Sequence, residues 1–346
     1  MTPTRRHSLA LAAAAALAAC GPHKLETKTA AGARTLDTRR LDREFPGLAR
    51  RARPGAFAFG VMDLATTTAW YWNTDRGFPL AAAAAAPIAA AALAQIEAGK
   101  LSLNDQVSFN ALDLSPPPSL IGQDFPAGDA KTAHILPAAS LAALAVREGD
   151  TTAMDVLAGR IGGPGAVSAF LELKQVLGLR IDRYQREIGV QMFGMPTFRP
   201  AWKDLAAFDA ARDQVPASAR QAAMEAFILD PRDTSTVPAA LGFLAMLAGG
   251  QLISARSTAQ LMGWMTSAAG GRLKTGLPAG VRIAHVGGST PTDLGFTPAV
   301  AELAIATLPR GQRYALAGFL VGSTATAAAQ DTLFADAARL AARAIG

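Results

Sequence analysis

Hydrophobic and polar residues follow a strand-like pattern near both ends of the chain and a helical pattern between them. Two β-rich runs joined by the short turn 64–67 predict an antiparallel hairpin, and further strand-like runs follow Gly270-Gly271. A last amphipathic helix is predicted over Ala327–Ile345. The strand-like runs are Phe57–Asp63, Thr68–Asn73, Val281–Val286, Val300–Leu308 and Arg313–Val321.

From Ala81 to about Ala268 almost every segment has helical spacing, and Leu36–Arg53 has it as well. One helix stands out because it is apolar on every face. It begins after Phe78-Pro79-Leu80, runs through six alanines and meets its first charge only at Glu97, so we predict that it is buried. The clearest other helices are predicted at Leu136–Arg147, Thr152–Ile161, Gly165–Leu177, Val237–Leu247 and Ala255–Met265.

This order predicts an α/β part with an all-α subdomain. Strands from both ends form an antiparallel sheet flanked by terminal helices, and a helical lobe is inserted between them. We place the α/β part at 38–80 and 270–346 and the helical lobe at 81–269. The cleft between two such lobes is the expected place for a ligand.

The amino terminus has the pattern of an export signal. A charged segment with the pair Arg5-Arg6 precedes the apolar run Leu9–Ala19, which is about half the roughly 20 residues that span a bilayer. Leu17-Ala18-Ala19-Cys20 resembles a bacterial lipobox, so residues 1–19 are interpreted as a lipoprotein signal peptide and 20–37 as a tether. An incidental cysteine after an ordinary signal is the alternative. Cys20 is the only cysteine, so no internal disulfide is possible.

Composition narrows the class of protein. Half of the residues are hydrophobic and 17% are charged, which excludes a disordered chain. The net charge is +6, but the arginines near the amino terminus lack interleaved aromatic residues, so no nucleic-acid binding is expected. Zinc-binding His/Cys groups and the glycine patterns of P-loop and Rossmann proteins are missing from the sequence. We therefore expect neither a metal nor another cofactor.

Several short motifs together resemble the class A serine β-lactamases and their penicillin-binding relatives. The resemblance runs from about Leu41 to the C-terminus and implies a β-lactamase/transpeptidase-like fold. The motifs are Phe78-Pro79-Leu80, Leu103-Asn104-Asp105-Gln106-Val107, Asp113-Leu114-Ser115-Pro116, Ile161-Gly162-Gly163-Pro164, Arg232-Asp233-Thr234-Ser235-Thr236, Gly276-Leu277-Pro278-Ala279-Gly280 and Gly322-Ser323-Thr324.

The positions that carry chemistry in that family are altered here. The resemblance places the family's nucleophilic Ser at Ala82 and its Lys base at Ala85, on one face of the buried helix. It places the hydroxyl of the family's Ser-Asp-Asn turn at Gly149, leaving only Asp150, which suits a plain helix N-cap equally well. No serine in the chain is followed by a lysine three residues later.

Two further family positions are also changed. The deacylating Glu of the omega loop falls on Gln185, whose neutral amide cannot take a proton from water, and the loop's Asn falls on Gly189. Glu187, two residues away, is expected to be solvated. About 40 additional residues, Val190–Asp230, then intervene before Arg232-Asp233. We expect this insert to pack near the cleft, with Arg232 and Asp233 forming a salt bridge that closes the omega loop.

The family's Lys-Thr-Gly triplet has a misleading match at Lys274-Thr275-Gly276. Spacing to the neighbouring motifs favours Val286-Gly287-Gly288 instead, with Val286 in place of the lysine and Gly288 as a remnant. His285 is expected to be a packed residue rather than a catalyst.

These changes predict a β-lactamase-like envelope lipoprotein that is catalytically inactive and has a binding or scaffolding role. The alternative is an active serine hydrolase that cleaves β-lactams through residues not identified. We expect a monomer, anchored to a membrane on the periplasmic side through lipid on Cys20, with an envelope ligand or protein as partner.

Overall fold

The computed structural model describes residues 36–126 and 131–345. The signal peptide, Cys20 and nearly all of the tether lie outside the described residues. The strands are β1 (Ala56–Asp63), β2 (Ala69–Trp72), β3 (Phe78–Pro79), β4 (Gln106–Phe109), β5 (His134–Pro137), β6 (Thr234–Ser235), β7 (Arg282–Ser289), β8 (Thr297–Thr307) and β9 (Arg313–Ser323). The helices are α1 (Thr38–Ala49), α2 (Ala85–Glu97), α3 (Leu120–Asp124), α4 (Ala138–Glu148), α5 (Thr151–Arg160), α6 (Pro164–Leu173), α7 (Gln185–Gln191), α8 (Leu205–Arg212), α9 (Ala217–Leu229), α10 (Val237–Ala248), α11 (Ala255–Thr266) and α12 (Ala327–Ile345).

The main sheet is antiparallel and uses both ends of the described chain. Its strand order is β2-β1-β9-β8-β7, so the predicted hairpin forms one side and β7 the opposite edge. One face packs against α1 and α12 around Phe45, Phe57 and Phe334. Alternate residues of the same strands face α2 and α10. The predicted fold class is therefore confirmed.

Helix α2 is the buried helix expected from its sequence. A 3-10 turn over Ala81–Ala84 leads into it, and every residue from Ala85 to Leu93 is buried. It contacts α4, α5, α6 and α11. Its small alanine side chains let these helices approach closely, and its exposed end begins only near Glu97.

Two short sheets inside the helical region were not predicted. Strands β4 and β5 pair with each other, and β3 pairs with β6. The β3–β6 pair holds Phe78 beside Ser235 and fixes the chain just before the 3-10 turn. None of the described helices is long and apolar enough to cross a bilayer.

The Lys274-Thr275-Gly276 triplet forms a 3-10 turn against α12 rather than the end of a strand. Gly276 is buried because this turn touches the backbone of α12. A Cβ added there would lie 2.6 Å from the carbonyl carbon of Ala335. This glycine is thus required for packing.

We predict that Gly276→Ala lowers the free energy of unfolding by about 1–3 kcal/mol, because the added methyl group has no space. The matched control is Gly263→Ala in α11, where a Cβ meets nothing within 4 Å. That substitution should raise stability by about 0.5–1 kcal/mol, the helix preference of Ala over Gly. Urea denaturation measures both changes. A neutral Gly276→Ala variant would contradict the close contact with α12.

Candidate functional site

The N-terminal end of α2 meets a turn and a strand at one point. Ala82 lies in the 3-10 turn that precedes α2, Gly149 ends α4, and Gly288 lies near the end of β7. A Cβ added at Gly149 would lie 3.3 Å from the Cβ of Ala82, and one added at Gly288 would lie 2.9 Å from it. The structure therefore brings these three sequence-predicted positions together. We call the space beside them the Ala82 cleft.

Backbone conformation is unusual on both sides of this point. Ala81 has φ +44°, a region that costs an L-residue roughly 1–2 kcal/mol. Such strain is typical of functional sites and persists only where the surroundings enforce it. Gly149 has φ +66° and is the left-handed cap of α4, its N–H bonding the carbonyl of Leu144. A serine there would have to adopt the same unfavourable conformation.

Helix α7 forms the side of the cleft that the sequence assigns to the omega loop. Gln185 is its first residue and lines the cleft with a neutral side chain. A Cβ at Gly189 would lie 2.8 Å from Cγ of Pro116, so no asparagine fits without movement of the proline. Glu187 is exposed, as expected, but it also caps α7, its carboxylate accepting from the N–H of Tyr184 at 2.9 Å.

Asp155 holds α7 in place, a role that sequence reasoning missed. This carboxylate on α5 accepts from the N–H groups of Gln185 at 2.6 Å and Arg186 at 2.9 Å, and from the hydroxyl of Ser115 at 2.6 Å. Its complete burial raises the pKa to about 6. The only sequence signal was an acid in an otherwise apolar helix.

Asp150 caps helix α5 and also binds the neighbouring loop by hydrogen bonds. It accepts from the N–H of Ala153 at 2.7 Å, as expected for the cap of α5. It also accepts from the N–H of Ile121 at 2.9 Å and from the hydroxyl of Ser119. The side chain is buried and therefore serves structure.

The expected salt bridge between Arg232 and Asp233 is wrong. Arg232 is exposed and pairs with Asp230. Asp233 is buried and accepts instead from Nε of Arg183 at 2.6 Å. The two residues lie in a turn where Asp233 has φ +55°, and their side chains reach different partners.

The Arg183–Asp233 bridge closes the loop that carries α7. Asp233 Oδ1 also accepts from the N–H groups of Asp182 at 2.7 Å and Arg183 at 3.0 Å. Arg183 NH1 lies 3.1 Å from Asp230, whose pKa the Arg232 hydrogen bonds and the Arg183 charge lower to about 2. Burial raises the pKa of Asp233 itself, so the bridge positions the loop at a cost in desolvation.

The 190–230 insert covers the Ala82 cleft. Met192 and Phe193 follow α7, Phe208 lies on α8 and Phe227 on α9, and all four are buried and line the cleft. The cleft that remains has a volume of about 70 Å³. That is room for a few water molecules, at about 30 Å³ each in the liquid, whereas pockets for drug-sized ligands measure about 300–1,000 Å³.

A buried ion pair fastens the insert to the sheet. Arg220 of α9 donates from Nε to Asp293 at 2.7 Å, and Arg212 of α8 lies 3.6 Å from the same carboxylate. Asp293 belongs to the turn between β7 and β8. The insert is therefore tied to the wall of the cleft opposite α7.

The remaining sequence-predicted positions lie apart from any reactive group. Val286 is 1% exposed and packs in the core on the α2 side of the sheet. Ala85 is fully buried in α2. Lys274 and His285 line a different pocket, beside α12.

The hydroxyl groups of the cleft lack a base. Thr151 donates to the carbonyl of Pro116 at 2.6 Å, and Thr290 is engaged with the backbone of Ala299. Ser289 makes no hydrogen bond to a lysine, histidine or carboxylate within the described residues. The same residues contain no cluster of His, Cys, Asp and Glu suited to a metal ion. The described residues of the cleft therefore offer backbone hydrogen-bonding groups but no hydroxyl that is activated by a base.

Comparison with known proteins agrees with this architecture. A sequence model described as the Beta-lactamase enzyme family matches residues 40–345. A class A β-lactamase reconstructed as the last common ancestor of Gram-negative bacteria is 26% identical. The match covers 88% of this chain and 99% of that one, with a TM-score of 0.69.

Another structure of the ancestral class A enzyme gives the same identity, coverage and TM-score. A β-lactamase from Chitinophaga pinensis DSM 2588 is 24% identical over 88% of this chain and 99% of its own, with a TM-score of 0.71. At that identity the last likeness supports the fold alone.

We predict that Asp233→Ala lowers the free energy of unfolding by about 3 kcal/mol, because Arg183 is left buried without its nearest carboxylate. Arg232→Ala, one residue away but exposed, should cost at most about 1 kcal/mol. Urea denaturation measures both, and hydrogen exchange should show faster opening of 182–191 in the Asp233 variant. Equal losses in the two variants would contradict the assignment of Arg183 as the partner.

Proposed function

This chain belongs to the beta-lactamase enzyme family, and we propose that it is a catalytically inactive member with a binding or scaffolding role in the cell envelope. One observation carries the proposal. Ala82, in the 3-10 turn before α2, and Ala85, the first residue of α2, stand where the sequence resemblance places the nucleophile and its base. Neither methyl group can attack a carbonyl or accept a proton.

The surroundings of Ala82 support the proposal, because they too lack the polar groups of the family. Gly149 and Gly288 approach the Ala82 methyl group closely, Gly189 packs on Pro116, and Val286 is enclosed in the core. A serine at Gly149 would have to adopt φ +66°, and an asparagine at Gly189 would meet Pro116. A serine and lysine at Ala82 and Ala85 would lack the partners that buried polar groups need.

The insert supports a role that does not require substrate turnover. It fills most of the cleft with aromatic and Met side chains and is fixed by the buried Arg220–Asp293 pair. The volume that remains, about 70 Å³, is well below that typical of small-molecule pockets. Closure by the chain's own residues suits a protein that keeps the family's fold while presenting other surfaces to its partners.

An active serine hydrolase would need a different nucleophile in this cleft. Ser289 is the exposed hydroxyl at its edge, and His285 lies four residues earlier on the same strand, β7. At about 3.3 Å per residue the two residues are roughly 13 Å apart along the strand, which is too far for a Ser289–His285 hydrogen bond.

We also propose that the mature protein is a lipoprotein, acylated at Cys20 and held on the periplasmic side of a membrane. The support is the Leu17-Ala18-Ala19-Cys20 sequence and the apolar run before it. Its partner would then be an envelope component.

The purified domain should hydrolyse a chromogenic cephalosporin no faster than buffer, because Ala82 supplies no nucleophile. The assay is followed by absorbance beside an active class A β-lactamase as positive control. The Ser289→Ala variant should match the unmodified protein. Turnover above background that disappears in Ser289→Ala, or in any other single variant, would overturn the proposal.

Growth of the producing bacterium with a fatty-acid analogue should label the full-length protein, because the proposed lipid is attached to the Cys20 sulfur. Cys20→Ser removes that sulfur and should abolish both the label and membrane fractionation. Label that persists in Cys20→Ser would show that the lipidation proposal is wrong. The two outcomes are read from a gel and from the fractionated cells.

A further inference from the structure

The larger pocket of the described chain lies on the other face of the sheet from Ala82. Side chains alternate along β7 and β8, so Val286, Ala301 and Leu303 face α2, while His285 and Glu302 face α12. Beside them the 269–275 segment and Asp331 of α12 line an open pocket of about 730 Å³. This volume, unlike that of the Ala82 cleft, falls within the range typical of small-molecule sites. We call it the Glu302 pocket.

Two acid–base groups are buried at its base. Glu302 is 1% exposed and accepts from the N–H groups of Arg272 at 2.8 Å and Leu273 at 3.3 Å. His285 is 5% exposed, and its Nδ1 lies 3.5 Å from Glu302. Nε2 of His285 is buried without a hydrogen-bond partner, which is uncommon in folded proteins.

Two cationic side chains line the pocket above Glu302 and His285. Lys274 is exposed and forms no ion pair within the described residues. Nε of Arg272 lies 2.7 Å from the half-exposed carboxylate of Asp331 but is not aligned to donate to it. Both guanidinium and ammonium groups bind carboxylate, sulfate and phosphate oxygens readily.

Two glycines keep the space beside His285 and Glu302 open. Gly271 has φ +103°, and a Cβ there would lie 3.0 Å from Nε2 of His285. A Cβ at Gly287 would lie 2.7 Å from Cα of Glu302. Any side chain at these positions would displace His285 or Glu302, so the open space depends on both glycines.

We propose that the Glu302 pocket is a binding site for a small oxyanion, a carboxylate, sulfate or phosphate group, held by Lys274 and Arg272 above Glu302 and His285. The cations supply attraction, and a protonated Glu302 or the unpartnered His285 nitrogen supplies a hydrogen bond. The site does not depend on the Ala82 cleft, so it stands whether or not the protein has catalytic activity.

Protonation of Glu302 should make the affinity for the anion depend on pH. Burial raises the pKa of Glu302 to about 7, with Arg272 opposing the shift and Asp331 adding to it. Burial lowers the pKa of His285, helped by the Lys274 charge and opposed by the Ala268 carbonyl, so the imidazole is neutral near pH 7. Anion binding should therefore tighten as pH falls through about 7, because Glu302 loses its negative charge.

The test is an NMR titration of the protein with sodium sulfate, which stays dianionic from pH 6 to 8. We expect saturable shifts of the Gly270, Gly271 and Arg272 amides. Loss of one unit charge close to the anion should weaken binding at least about fivefold in Lys274→Gln. The matched control is Lys100→Gln, an exposed lysine that forms no ion pair within the described residues and does not line this pocket.

Glu302→Gln should bind sulfate with the affinity of the unmodified protein at pH 6 and should lose the pH dependence. Melting curves confirm that each variant is folded. Shifts scattered over the surface, or equal weakening in the Lys274 and Lys100 variants, would show that sulfate acts only by general charge screening. Either result would overturn the proposal. Tighter binding at pH 8 than at pH 6 would overturn the assigned role of Glu302.

Discussion

Complete burial of α2 is the constraint on which the rest of the structure depends. The sheet lies on one side of this helix and α4, α5, α6 and α11 lie around it, so no position from Ala85 to Leu93 reaches solvent. A polar side chain on such a helix must be fully hydrogen-bonded or it costs several kcal/mol. Once the groups that would pair with it are gone, alanine is the stabilising residue. In the inactive member that we propose, the loss of these polar groups would also favour stability, which is the reverse of the compromise that active sites impose.

The loop carrying α7 is held in place by buried charges. Its closure depends on Arg183 and Asp233, and its approach to α5 depends on Asp155. These buried charges order the backbone around the cleft, and the insert then occupies the space that the ordered walls enclose. The same molecule leaves a larger polar pocket on the opposite face of its sheet. Recognition by this protein is accordingly expected away from the α2 terminus.

Patterns within one element were readable from the sequence, whereas contacts between elements were not. The β1–β2 hairpin, the apolar helix α2 and the bounds of α12 followed from local periodicity. Motif spacing also placed Ala82, Gly149, Gln185 and Gly288 at positions that the fold brings together. The Arg232–Asp233 bridge was wrong because the true partner, Arg183, lies 50 residues away and nothing local marks it. Asp155 and the Glu302–His285 pair were missed for the same reason: a single acid in an apolar run gains meaning only when its neighbours in space are known.

The most direct test of the central claim, that the family's nucleophile is absent, is an intact-mass spectrum of the domain after long incubation with a reactive penicillin. A class A relative whose deacylating Glu is replaced by Gln, run in parallel, would show the mass of the covalently bound drug, because a neutral amide cannot activate the hydrolytic water. We predict that this chain keeps its unmodified mass at every time point. A stable mass increase of one penicillin, mapped by peptide analysis to a single residue lining the Ala82 cleft, would contradict it.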